Sequence, residues 1–152
     1  MSKRLPFGEL KVTSVRVCEI SPEPLNRPDL VHELWNKNVP LSSWYDHDKE
    51  CLVVFALDTR LKCKGFFLIS LGSLNETIAN PREIFKPLIA VSAYSFVICH
   101  NHPTGDPSPS EADRRMTRRV HECGELLGIP LMDHIIIGNE TNRFSFRKCG
   151  LI

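Results

Sequence analysis

The segment HNHPTGDPSPSEAD, residues 100–113, sets two histidines one residue apart and ends on a carboxylate. In an extended strand, residues i and i+2 project from the same side. His100 and His102 can therefore offer two imidazole nitrogens to one ion, provided the strand runs through His102. Asp113 falls on the helical pattern that follows, one turn before Met116 and Thr117 at the border of an apolar stripe, and can add a ligand from a second element. Two neutral imidazoles and one carboxylate suit zinc, and three protein ligands leave a fourth position for water, as in catalytic sites. Such water needs a base to take its proton. Glu50, at the mouth of the apolar run ECLVVFALD, is a candidate for that role, and the Ser110 hydroxyl could hydrogen-bond a developing oxyanion.

A plainer reading uses the same residues. Ser110 and Asp113 fit a looser form of the capping box, which would account for both without a metal. Paired histidines on a strand are often surface residues. The residues alone leave a zinc site and a capped strand-to-helix turn both open.

The elements that must position these groups follow from periodicity. Asp29–Asn38 reads as a short amphipathic helix with Leu30, Leu34 and Trp35 facing inward. Residues 50–58 are apolar at both parities, the mark of a strand covered on both faces. Gly65–Leu71, Ser95–His100, Leu131–Ile137 and Arg143–Arg147 complete the central strands, and a first strand falls in Leu10–Ile20. Asn80 and Pro81 are a cap and first residue for a helix that Pro87 should kink or shorten. From Ser110, the residues Ala112, Met116, Val120, Cys123 and Leu127 make an apolar stripe ending near Gly128. Strands interleaved with helices predict one α/β sandwich with a mixed sheet over 1–152. Residues 1–20 hold the first strand and its lead-in, 21–49 a helix and loops, and 50–152 the metal-binding core.

Other polar residues compete for roles. Glu83 is a rival to Glu50, although a first-turn carboxylate is favoured by the helix dipole alone. Asp133 and His134 could orient ligands or bind substrate, or form a buried hydrogen-bonded pair. Asp106 and Glu111 lie near enough in sequence to serve a second metal. Arg114, Arg115, Arg118 and Arg119 are a basic cluster, with Arg114 and Arg118 pointing away from the stripe and Arg119 close to it. His121 falls on the solvent side of that helix, and His32 and His47 read as surface residues.

Composition excludes some classes. The chain has 152 residues, 42% hydrophobic and 24% charged, with a formal net charge of +1. That balance gives no global pull toward nucleic acid or an anionic membrane. No segment approaches membrane-spanning length. Six cysteines without a C-x-x-C pair predict a reduced, cytoplasmic protein. A zinc deaminase would need H-x-E and P-C-x-x-C, and neither occurs.

His100-x-His102, followed by Ser110 and Asp113, resembles the H-x-H-x7-S-x2-D signature of JAMM (MPN-plus) metalloproteases. More narrowly, the strand from Glu50 to Leu57-Asp58, the run Asn80-Pro81-Arg82-Glu83, HNHPTGDPSPSEAD, and LLGIPLMDHIIIG followed by SF and GLI resemble the bacterial RadC family over roughly residues 10–152. The resemblance implies a JAB/MPN α-β-α sandwich similar to cytidine deaminases. It implies His100, His102 and Asp113 as ligands of one zinc, Glu50 as general acid/base, and Ser110 as support for a tetrahedral intermediate. It further implies a peptidase or isopeptidase acting on a peptide or protein substrate. The alternatives are a metal-dependent DNA-processing factor, after the family's repair label, and a non-catalytic interaction module. The helix-hairpin-helix region of full-length RadC proteins has no counterpart in these residues.

Overall fold

The computed structural model describes residues 24–72 and 79–152. The element order is α1 (Pro28–Asn38), a 3-10 turn (Val39–Leu41), β1 (Cys51–Leu57), β2 (Cys63–Leu71), α2 (Pro81–Ala90), β3 (Ser95–Asn101), α3 (Glu111–Leu127), β4 (Leu131–Ile137) and β5 (Arg143–Ser145). The proposed strand in Leu10–Ile20 lies outside the described residues.

The strands form one mixed sheet in the order β2-β1-β3-β4-β5. β3 and β4 run parallel and the other neighbours antiparallel. All seven residues of β1 and of β3 are buried, as apolar runs at both parities require. Alternation divides them between two cores. Cys51, Val53, Phe55, Leu57, Val97 and Cys99 pack with Val31, Leu34 and Trp35 of α1. Leu52, Val54, Ala56, Phe96 and Ile98 pack with Ile84, Phe85 and Leu88 of α2 and Val120 of α3. The result is the α-β-α sandwich expected from the sequence.

Helix ends follow local chemistry. The Asn80 side chain accepts the Arg82 N–H at 3.0 Å, with Pro81 opening α2. Pro87 falls in the last turn, and α2 stops soon after it at Ala90. α3 begins at Ser110 and stops at Gly128, whose φ of 70° is the left-handed turn that glycine accepts without strain.

Five expectations are corrected. The buried line of α3 is Thr117, Val120 and Gly124, while Ala112 and Leu127 are exposed. Gly124 sets this line, because a Cβ there would meet the Ile129 carbonyl at 2.7 Å. His32 is buried, not superficial, with Nε2 hydrogen-bonded to the Asn139 carbonyl at 2.9 Å. His121 is half-buried, and its Nδ1 lacks a hydrogen-bond partner. Arg114 is half-buried, lining a small cleft with Arg118, Phe146 and Leu151, and Arg119 is exposed as Arg118 is. The last strand ends at Ser145, earlier than Arg147.

Candidate metal centre

β3 and the residue after it set the two histidines on one side of the sheet. The His102 amide still pairs with the Ile137 carbonyl at 2.8 Å, so the extended backbone persists one residue past β3. Both imidazoles therefore project toward the start of α3, with their Nε2 atoms 3.1 Å apart. His100 is almost wholly buried and His102 has 17% of its side chain exposed.

Asp113 meets them from α3. Its Oδ1 is 3.4 Å from His100 Nε2 and its Oδ2 3.4 Å from His102 Nε2. The capping box is present as well: Ser110 Oγ accepts the Asp113 N–H at 3.0 Å, and Asp113 Oδ2 accepts the Ser110 N–H at 2.8 Å. The cap and the ligand cluster thus coexist, and the cap fixes the rotamer that turns Asp113 toward the histidines. Burial acts to raise the Asp113 carboxyl, but His100, His102 and the Ser110 amide prevail and hold it far below the ordinary carboxylate range. Burial likewise acts to lower His102, and the Asp113 carboxylate with the Asp106 carbonyl overcomes it, leaving the imidazole raised.

Glu50 closes the cluster from the start of β1. Its Oε1 is 3.4 Å from His100 Nε2 and 3.7 Å from His102 Nε2, in a side chain 8% exposed. Asn101 fixes the backbone on both sides of it, with Oδ1 accepting the Cys51 N–H at 2.8 Å and Nδ2 donating to the Lys49 carbonyl at 3.0 Å. Cys51 itself turns to the other core. Its thiol is pushed up to about 12 by burial and by Glu50, so it is not a thiolate donor.

The donor set fits a metal ion. One potential donor atom from each of Glu50, His100, His102 and Asp113 lies within 4.8 Å of all the others. Tetrahedral zinc with ligands at about 2.0–2.1 Å has ligand-to-ligand edges of roughly 3.3–3.4 Å. The His100–His102 separation is 3.1 Å, and the Asp113 carboxylate lies 3.4 Å from His100 through Oδ1 and 3.4 Å from His102 through Oδ2. Among the described residues, neither carboxylate has a lysine or arginine within ion-pair distance, so their charge is left for a cation to balance.

Sequence comparison relates the chain to known proteins. Residues 26–151 match the family described as "RadC-like JAB domain". The chain belongs to that family. It is 48% identical over 106 residues to a UPF0758 protein of Clostridium beijerinckii, covering 69% of this chain and 45% of that protein. UPF0758 proteins of Trichlorobacter lovleyi and Geobacter sulfurreducens are 45% and 44% identical over 107 and 108 residues, each alignment covering 70% of this chain and 46% of the relative. The matched part of the chain thus spans less than half the length of these relatives.

Around the cluster, the RadC-like JAB domain carries a second layer of polar contacts. His100 Nδ1 lies 2.7 Å from His134 Nε2, and His134 Nδ1 lies 2.6 Å from Thr117 Oγ1, which donates to the Asp113 carbonyl at 2.6 Å. The Phe146 ring stacks on His134 at 4.6 Å between centroids. His102 Nδ1 bonds the Asp106 carbonyl at 2.8 Å. The His102 loop is held in turn by Asn142 Nδ2, which donates to the Gly105 carbonyl at 3.1 Å. That approach requires Gly138, where a Cβ would sit 2.4 Å from the Gly105 oxygen.

The remaining candidates do not join. Asp133 faces the α1 core, where it accepts hydrogen bonds from Ser145 Oγ and from the His134 and Arg147 amides. Glu83 is exposed in the first turn of α2, and Asp106 and Glu111 are exposed near the site without entering the donor cluster. Asp46, His47 and Asp48 cluster in a turn, but His47 and Asp48 are exposed. Thr117 was not anticipated as a site neighbour. Its signal was its place one turn after Asp113, on the same helix face.

Among the described residues, no helix is long and apolar enough to cross a membrane.

Proposed function

We propose that this RadC-like JAB domain is a zinc-dependent hydrolase of amide bonds, a peptidase or isopeptidase acting on a protein or peptide. The carrying observation is the convergence of the His100 and His102 Nε2 atoms, 3.1 Å apart, with the Asp113 carboxylate 3.4 Å from each through its two oxygens and a buried carboxylate, Glu50, beside them. His100, His102 and Asp113 would hold the zinc, which when bound supplies a Lewis acid and an acidified water. Glu50 is within reach of the same space. It would take the proton from the attacking water and return it to the leaving amine. The Ser110 hydroxyl oxygen accepts in the cap, which leaves its proton to donate to an oxygen gaining charge at the substrate carbonyl.

A groove of about 690 Å³ runs past His102, between α1 and the Gly138–Thr141 loop, with Tyr45 and His47 on its wall. It offers a polypeptide a path to the site. The free thiols Cys51 and Cys99, both buried, fit a reducing cytoplasm. A two-metal nuclease is less well supported, because Asp106 and Glu111 add no donors to the cluster.

Metal content of wild type and Asp113→Ala, purified without added metal, tests the reading. About one zinc per wild-type chain, lost in the variant, is expected. The wild type should then cleave peptide or isopeptide substrates. A wild type that neither carries nor takes up zinc overturns the hydrolase reading in favour of an interaction module. A zinc protein that cuts nucleic acid but no amide overturns the substrate class.

A further inference from the structure

The hydrogen bonds behind His100 can be read as a sequence of protons. The Asp113 carbonyl can only accept, so the single hydroxyl proton of Thr117 is committed to the 2.6 Å contact with it. The contact between Thr117 Oγ1 and His134 Nδ1, also 2.6 Å, must then be supplied with a proton by the imidazole. His134 is wholly buried, with no carboxylate within ion-pair distance of its ring among the described residues, and an unpaired charge is not tolerated in such surroundings. It is neutral and carries one ring proton, placed on Nδ1. Its Nε2 is therefore bare and accepts from His100 Nδ1 at 2.7 Å. His100 in turn has its proton on Nδ1 and a bare Nε2 facing Asp113, His102 and Glu50.

We infer that Thr117, through His134, locks His100 in the Nδ1–H tautomer whose Nε2 lone pair faces the cluster, so that Thr117 and His134 are positioning residues for the metal ligand. The arrangement is independently mirrored at His102. Its Nδ1 faces a backbone carbonyl and must donate, which in the neutral ring bares Nε2 on the same side. The two imidazoles thus present lone pairs 3.1 Å apart, a repulsive arrangement that a cation between them relieves. The lock comes from α3, the helix that also delivers Asp113, so seating this helix sets one ligand and the protonation pattern of another. Outer partners of this kind set both the tautomer and the basicity of a ligating imidazole.

The inference rests on the metal-site reading for its purpose but not for its first measurement. Long-range nitrogen–proton NMR spectra of the zinc-free protein, at a pH where the imidazoles are neutral, report each ring's tautomer directly. His100 and His134 should both be Nδ1–H in wild type. Thr117→Val keeps the shape and removes the hydroxyl. The buried His134 proton then shifts to Nε2, and His100 is driven to Nε2–H, the form that cannot ligate through the facing nitrogen. Zinc affinity should fall about 10–100-fold in Thr117→Val and stay within about threefold in Thr117→Ser, which restores the hydroxyl. A wild-type His100 in the Nε2–H form overturns the lock, as does a folded Thr117→Val with unchanged tautomer and affinity. Should the valine variant fail to fold, the wild-type and serine spectra decide. A protein with the expected tautomers that takes up no zinc retains the lock and fails the metal reading.

Discussion

Each face of the sheet buries polar side chains, and the two faces satisfy them differently. On the α1 face, Asn101 bonds the backbone of Cys51 and Lys49, His32 bonds the Asn139 carbonyl, and Asp133 receives the amides of His134 and Arg147 besides the Ser145 hydroxyl. On the α3 face, Glu50, His100, His102, Asp113, His134 and Thr117 face one another, and one nitrogen or oxygen atom from each of the first four converges with no lysine or arginine paired to them among the described residues. Groups paired to backbone hold loops and strand ends at fixed positions. Groups paired to one another, with lone pairs left over, are poised to hold something else. Adjacent residues of β3 belong to the two classes: His100 enters the cluster, and Asn101 one step on bonds the backbone of Cys51 and Lys49.

The largest effect expected from this contrast lies at Glu50. Glu50→Gln keeps the size of the side chain but removes the base. Turnover of an amide substrate should fall about 10²–10⁴-fold. Zinc content should remain at one per chain, since the other three residues suffice as ligands. Kinetics together with metal analysis check this. Loss of zinc along with activity would make Glu50 a ligand and not the proton carrier.

How much of this was readable in advance depends on how local the signal is. The H-x-H pair and Ser-x-x-Asp are short-range patterns whose geometry follows from the strand repeat and the helix start, so four site residues could be named from spacing and Glu50 from its place before an apolar run. Strands β1 and β4 were equally plain, being continuous apolar runs. The second layer is not local. His134 arrives from the parallel strand β4 and Thr117 from within α3, and they meet His100 only after the sheet is assembled. His32 shows the opposite failure: its neighbours Val31, Leu34 and Trp35 made the inward face, and the partner that draws it in, the Asn139 carbonyl, lies far along the chain. The apolar stripe of α3 was displaced because Gly124, invisible to a hydrophobic count, makes the closest approach to the β4 lead-in.

A smaller effect is expected from the backbone-paired class. Asn101→Ala strands the buried Cys51 amide, which costs about 1–3 kcal/mol. Zinc should stay bound, because Asn101 donates nothing to the cluster. Activity should drop by about tenfold, well short of the Glu50→Gln loss, as the backbone on both sides of Glu50 loosens and the base drifts from its alignment. Chemical denaturation and metal analysis separate the two effects. Loss of zinc on this substitution would break the division between the faces.

The smallest effect belongs to Asp58, a carboxylate satisfied by backbone alone. Its Oδ1 accepts the amides of Arg60 and Lys62 at 2.8 and 2.9 Å in the turn between β1 and β2. The Lys62 amide bond is the main reason its carboxyl is held below the ordinary range, with the Arg60 amide and both side-chain charges acting the same way against a little burial. A folded-state value below the unfolded one makes the ionised form stabilising. That stability is fully present above the unfolded value near pH 4 and is lost as pH falls through the folded one. Asp58→Asn can still accept from both amides but does not titrate. Denaturant midpoints measured from pH 6 down to pH 3 should therefore fall slightly more for wild type than for the variant, with no difference at pH 6 and above. Asp113 is held low by two imidazoles besides an amide, whereas Asp58 has backbone amides and solvated side chains, so zinc content at pH 6 should be the same in Asp58→Asn as in wild type. A change there would tie the β1–β2 turn to the metal centre through Glu50, at the opposite end of β1.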